Sequence, residues 1–162
     1  MIPALVAFGG FRHLVASPVW SGDEAYRRLF SPAEREKWEA QTGSREQLDN
    51  LQRIVARLVR AGGRVAAGSD APNVPYGLSL HAELALLRDA GIPNDQILRL
   101  VTAEAALALG VEHELGTIEP GKLADFVILN GNPLARIEDS LRIQAVVKNG
   151  LWTDREALLP AP

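Results

Sequence analysis

The chain contains no cysteine, which removes disulfides, thiolate metal sites and a cysteine nucleophile together. It also lacks an excess of basic charge. Its 17 Lys and Arg are scattered among 20 Asp and Glu, for a formal net charge of -3, so nothing invites nucleic acid or an acidic membrane surface. No apolar run approaches the ~18 residues that a bilayer span requires. Histidine is scarce: His13, His81 and His113 stand apart, in neither HxH nor HExxH spacing, so no short stretch gathers metal ligands. The glycine pairs Gly9-Gly10 and Gly62-Gly63 miss the GxGxxG and GxxxxGK spacings that cradle phosphates, and Ser69 sits in no GxSxG elbow. The opening MIPALVAFGGF has no basic residues ahead of its apolar run and is broken by Pro3 and Gly9-Gly10. No signal peptide is read there, and a soluble, cytoplasmic protein is the favoured expectation.

What is present describes an ordinary globular chain, 47% hydrophobic and 23% charged over 162 residues, with no internal repeat. Ala4 to Phe8 is a continuous apolar run stopped by glycines, the pattern of a strand buried on both faces. Ser31-Pro32-Ala33-Glu34 reads as a capping box with proline at the first helical position, predicting a polar helix to about Gly43. Ser44 to Gln47 is a second box. Leu48, Leu51, Ile54, Val55, Leu58 and Val59 then recur at helical spacing, predicting a helix that ends at Gly62 and packs on a sheet. Arg64 to Gly68 has the length of a second buried strand. Helices are expected over Leu78 to Ala90, from a cap at Asn94, and from a cap at Thr102 to Gly110. Beyond Glu112 the character changes to short β-branched segments: Gly116 to Ile118, Ala124 to Leu129 and Ile143 to Lys148. Pro120-Gly121 suits a type II turn and Asn149-Gly150 a type I′ hairpin into Leu151 to Thr153. The fold class read from this order is α/β over residues 1–111, followed by a small all-β element over 112–162.

The stretch RVAAGSDAPNVPY organises the rest, because an apolar run there stops at the carboxylate of Asp70. In α/β units ligands collect at the carboxyl ends of strands, so an acid at that position is a candidate for chemistry; an Asx turn or a helix cap is the plainer alternative. His81 follows in the first turn of the next helix. His81 and Glu83 cannot share an ion, since positions i and i+2 of a helix point about 200° apart.

Taken in order, GSDAP, SLHAEL, TAEAALALG, LGTIEPGKLADFVILNGNPL and IQAVVKNG resemble the carboxyl-terminal part of a metal-dependent amidohydrolase of the imidazolonepropionase-like kind. The resemblance covers roughly Arg64 to Trp152. It implies the last part of a (β/α)8 barrel, about strands seven and eight, followed by strands of a small β-sandwich. It identifies Asp70 with the aspartate that ends the last barrel strand, a metal ligand and proton shuttle. One or two divalent ions, zinc foremost, would activate water against a carbonyl, and a cyclic or small amide is the implied substrate. Asn73 and Tyr76 in the loop, with His81, would line its pocket.

The departures are equally clear. The HxH pair of the first strand, the lysine or acid of the fourth and the histidines of the fifth and sixth have no counterpart here. A barrel takes about 250 residues and a catalytic zinc about three protein ligands, so the chain is read as a fragment, inactive and without stoichiometric metal by itself. A noncatalytic α/β module, or a split-barrel subunit completed by a partner polypeptide, is the alternative. The unpaired edges of the strands at 4–8 and 65–68 lead us to expect self-association by that half, with the carboxyl-terminal β element the better-behaved part.

Overall fold

The computed structural model describes residues 1–8, 28, 30–40 and 44–159. His13, Gly9-Gly10 and the expected helix end at Gly43 lie outside these. Ser31 and Glu34 form the reciprocal capping box: the Ser31 amide donates to Glu34 Oε2 at 2.8 Å and the Glu34 amide to Ser31 Oγ at 3.3 Å. This box opens α1, Pro32–Glu39. Ser44 caps α2, Arg45–Arg60, by accepting from the Gln47 amide, and Gly62 beyond its end takes φ 73. Helix α3, Leu78–Asp89, is followed by α4, Asn94–Val101, and α5, Ala103–Leu109, the last closed by left-handed Gly110.

Helix α3 is the hub. Residues 82–87 are all buried, so it is covered on every side, as a helix apolar all round must be. Leu48 and Val55 of α2, Ile97 and Leu100 of α4 and Ile137 meet it in one cluster with Leu5, Val6, Val65 and Val74. The helical face expected on α2 is present with one exception. Ile54 is exposed, and the buried residue of its turn is Gln52, whose Nε2 donates to Leu86 O at 2.8 Å. That bond satisfies the amide with a carbonyl of α3, which explains how a polar residue sits inside.

Both expected amino-terminal strands are corrected. Leu5–Phe8 is a 3-10 turn entered through Ala4 at φ 46, and α2 packs on that turn and on α3 rather than on a sheet. Residues 63–70 form no strand. A trace of parallel pairing remains: the Met1 amino group donates to Arg64 O at 2.9 Å and the Ala66 amide to Met1 O at 3.0 Å. The pairing goes no further, because its next donor would be residue 3, and Pro3 has no amide hydrogen; the Ala67 amide, on the opposite side of the segment, donates to Leu100 O. Two cap expectations also change. Asn94 is the first helical residue, with Pro93 in the cap position and the Asn94 side chain donating to Leu134 O. Thr102 occupies the cap of α5, but its Oγ1 donates back to Leu98 O at 2.7 Å.

The carboxyl-terminal part is a three-stranded antiparallel sheet in the order β1-β2-β3: Phe126–Leu129, Ile143–Lys148 and Leu151–Asp154. Residues 116–118, expected as a strand, form none. Both turns match their chemistry. Asn149 and Gly150 have φ 51 and 77, as a type I′ hairpin demands, and the Lys122 amide reaches Glu119 O across Gly121 at φ 92. A 3-10 turn, Ile137–Leu141, and a short helix α6, Arg155–Leu158, complete the described elements. Asp139 ties the turn together: its Oδ2 accepts from the Asn132 amide at 3.0 Å and its Oδ1 from Arg136 Nη2 at 2.9 Å. Where α5 meets the residues leading to the sheet, Gly116 at φ 93 lies so close that an added Cβ would stand 2.6 Å from Ala106 Cβ. Among the described residues, no helix is long and apolar enough to cross a membrane.

Candidate active site

Residues 64–69 deliver Asp70 to the surface, where it adopts φ 59 in the left-handed region that short polar side chains tolerate. The chain reverses at once. The Asn73 amide donates to Asp70 O at 3.0 Å across a cis Ala71-Pro72 bond, and Asn73 Nδ2 donates to Asp70 Oδ2 at 3.2 Å. Val74 and Pro75 then plunge into the core, anchoring the loop, while Asn73 and Tyr76 remain exposed. Gly77, at φ 71, redirects the backbone into α3, and Ser79 Oγ donates to Pro75 O below it. The result is an exposed carboxylate on a loop pinned from beneath, with Asn73 holding one of its oxygens.

Asp70, Asn73 and Tyr76 thus share one loop, and His81 follows it on α3. The half-buried His81 ring faces the carboxyl-terminal part, where Nδ1 and Ser140 Oγ share a hydrogen bond of 2.9 Å. His113 is exposed beside Glu112. Among the described residues, no group of three or more histidine and acidic side chains could hold a metal ion. Two hollows of the described surface lie elsewhere. One of about 550 Å³ is bounded by Val59, Arg64, Gln96 and Arg99, at the start of the segment that Asp70 ends. Another, of about 610 Å³, runs between Leu98, Leu109, Ile118, Phe126 and Val127.

One functional group escaped the sequence reading. Glu83, considered there only as a partner for His81, is completely buried; its Oε2 accepts from the Val6 amide at 2.8 Å, and burial raises its carboxyl to about 7 against the pull of the Val6 and Leu5 amides. The signal available was an acid in the middle of LHAELALL, an otherwise apolar helix. The expectation that His81 and Glu83 diverge holds: one turns to Ser140, the other to Val6.

Comparison with known proteins supplies the family. The amidohydrolase family profile matches residues 19–153. A 5-methylthioadenosine/S-adenosylhomocysteine deaminase of Thermodesulfovibrio yellowstonii is 34% identical over 85 residues, 47% of this chain and 19% of the relative. An imidazolonepropionase of Symbiobacterium thermophilum is 39% identical over 77 residues, 46% of this chain and 18% of the relative. The crystal structure of a Xaa-Pro dipeptidase with bound methionine superposes with a TM-score of 0.66 at 27% identity, covering 94% of this chain and 34% of that one. The chain therefore spans about a fifth of the length of these curated relatives.

Proposed function

The chain belongs to the amidohydrolase family, and from that premise we propose that it forms part of an enzyme that hydrolyses a carbon-nitrogen bond outside ordinary peptides, with Asp70 as the general base. The observation that carries this reading is an aspartate at the end of residues 64–69, presented on a loop that Val74 and Pro75 anchor, within the stretch that the family profile covers. Asp70 would accept the proton of the attacking water and return it to the departing nitrogen, a role typically worth ~10²- to 10⁴-fold in rate. Asn73, bonded to one Asp70 oxygen, would leave the other free to face that water. Asn73, Tyr76 and the neighbouring His81 would border the substrate, for which the named relatives suggest a small amide, a cyclic amide or an amino-substituted heterocycle.

A divalent metal, zinc foremost, belongs to this reading. The described residues do not make its site: Asp70 offers one carboxylate where about three protein ligands are needed. We therefore assign the remaining ligands to parts of an intact enzyme outside the described residues, and the proton transfers assigned to Asp70 involve its own carboxylate alone. In the same reading residues 1–111 are the closing part of a (β/α)8 barrel and residues 112–162 a sandwich element. A second reading, a subunit that completes its fold with another polypeptide, is favoured by large apolar side chains left outside, Ile118 at 88% and Leu109 at 75% exposure.

The test is Asp70→Asn in a full-length enzyme carrying this stretch, assayed for amine or ammonia release from a panel of small amides and amino-heterocycles. Asn keeps the shape and loses the base, so turnover should fall by ~10²-fold or more with the fold intact. Unchanged turnover removes Asp70 from the mechanism.

A further inference from the structure

Glu83 lies in the second turn of α3 with no accessible surface, facing the amino-terminal turn. Its Oε2 accepts from the Val6 amide, whereas Oε1 is buried without a hydrogen-bond partner. The reason for an acid there is on the other side of the bond. The turn Leu5–Phe8 closes on itself through the Ala7 amide and Ala4 O, at 3.0 Å, which leaves the amides of its first residues unserved from within. A helix start normally meets this need with Ser, Thr, Asp or Asn just ahead of it, but the residue there is Ala4, which has no side-chain acceptor. Glu83, 77 residues further along, supplies one.

We propose that Glu83 is a positioning residue, an internal cap that fastens the amino-terminal turn beside the segment presenting Asp70, and that ionisation of its carboxyl group loosens this fastening. The backbone carries the connection: residues 1–8 run from Val6, held by Glu83, to Met1, whose carbonyl accepts from the Ala66 amide four residues before Asp70. Among the described residues, no counter-charge faces the carboxylate. The amino-terminal turn brings no charged side chain, and α2 turns the neutral Gln52 inward. On α3, Arg88 is committed to Asp89 and Glu138, and His81 faces Ser140. On α4, Asp95 and Arg99 are exposed, and the acids of the Ile137–Leu141 turn are held by Arg88, Arg136 and Arg142. Burial therefore outweighs the two amides, and the carboxyl stands near 7 when the turn is fastened, against an ordinary 4.5 when it opens to water. Opening should accordingly become more frequent as pH rises between those two values and level off above the higher one.

The experiment is amide hydrogen exchange on the purified chain from about pH 5 to about pH 8, corrected for the intrinsic rates and read at Val6 and Ala66, with α4 amides as the control for global stability. Protection at both positions should fall together, by roughly 50-fold across that range. Glu83→Gln, which keeps an acceptor for Val6 and cannot ionise, should retain protection and lose the pH dependence. Glu83→Leu should lose protection at Val6 and Ala66; if it fails to fold, the wild-type series and the Gln variant decide alone. The proposal is overturned if protection at Val6 and Ala66 does not change with pH in the wild type, if the Gln variant keeps the wild-type pH dependence, or if Ala66 in a folded Leu variant is as protected as before. What the latch does for catalysis rests on the role proposed for Asp70. Exchange does not depend on that role, so failure of the Asp70→Asn assay and failure of the latch are separate results.

Discussion

Two parts of this chain treat their carboxyl groups in opposite ways. Around α3 an acid is enclosed in hydrocarbon with only the Val6 and Leu5 amides against it, and burial raises the Glu83 carboxyl. Around the sheet, acids sit largely covered but inside nests of donors. The Asn149 amide and Lys148 lower Asp125, and the Asn132 amide, Arg136 and Arg142 lower Asp139. The same contrast holds for apolar residues. Leu5, Leu48, Leu87 and Ile97 are covered within the helical part, while Val127, Leu151 and Trp152 of the sheet are half or more exposed. The helical part is held by burial and the sheet part by backbone pairing and charged hydrogen bonds. Substitutions and pH should therefore affect the two differently.

The largest expected effect is in the helical part. Leu87 is wholly buried at the centre of the cluster, and Leu87→Ala should lower unfolding stability by roughly 2 to 5 kcal/mol, measured by denaturant titration. A loss below about 1 kcal/mol would mean that the cluster closes over the gap and that burial is not what holds this part.

Acid distinguishes the parts next. Asp125 and Asp139 have lowered folded values, so their stabilisation is present above the ordinary carboxylate range and is lost as pH falls through those values. Glu83 acts with the other sign: its raised value makes the folded state most stable below about 4.5, with a decline as pH rises toward about 7. Melting temperature against pH should therefore peak between the two limbs. Asp139→Ala should lower the peak by about 5 °C and flatten the acid limb alone. A flattened neutral limb in that variant would contradict the separation.

Much of this contrast was legible in the sequence. The capping box at Ser31, the Ser44 cap, the left-handed closure at Gly110 and the hairpin at Asn149-Gly150 are local chemistry, decided within a few residues, and all four are present. The strands expected at 4–8 and 64–68 are not. A buried strand requires neighbours far away in sequence, and composition states only that a segment is apolar. Glu83 was missed for the same reason, since its partner lies 77 residues away. The left-handed Asp70 on an anchored loop needed Val74 and Pro75 to be seen inside, although the placement of the acid at the end of an apolar run was visible from the start.

The smallest expected effect on stability is at the sheet surface. Leu151 is 73% exposed on an edge strand, so Leu151→Lys should change stability by less than about 0.5 kcal/mol. We expect it to reduce self-association seen by sedimentation at low micromolar concentration, because a lysine on an edge discourages pairing with another chain. A wild-type chain that sediments as a sharp monomer would remove the premise that these apolar edges seek a partner.

Gly116 bears on which sequences can arise by drift from this one. Its backbone sign disfavours any L side chain, and its spacing against Ala106 disfavours even a methyl group, so a random replacement there is filtered twice. Gly121 and Gly150 also have positive φ, but an added Cβ at either would meet nothing within 4 Å, so only conformation opposes change there. Asparagine, which tolerates that backbone region, is an accessible substitute at the open turns and a steric obstacle at 116. Across lineages the turns can therefore exchange residues while the joint beside α5 stays fixed, and the sheet keeps its setting against the helices as the loops around it diverge.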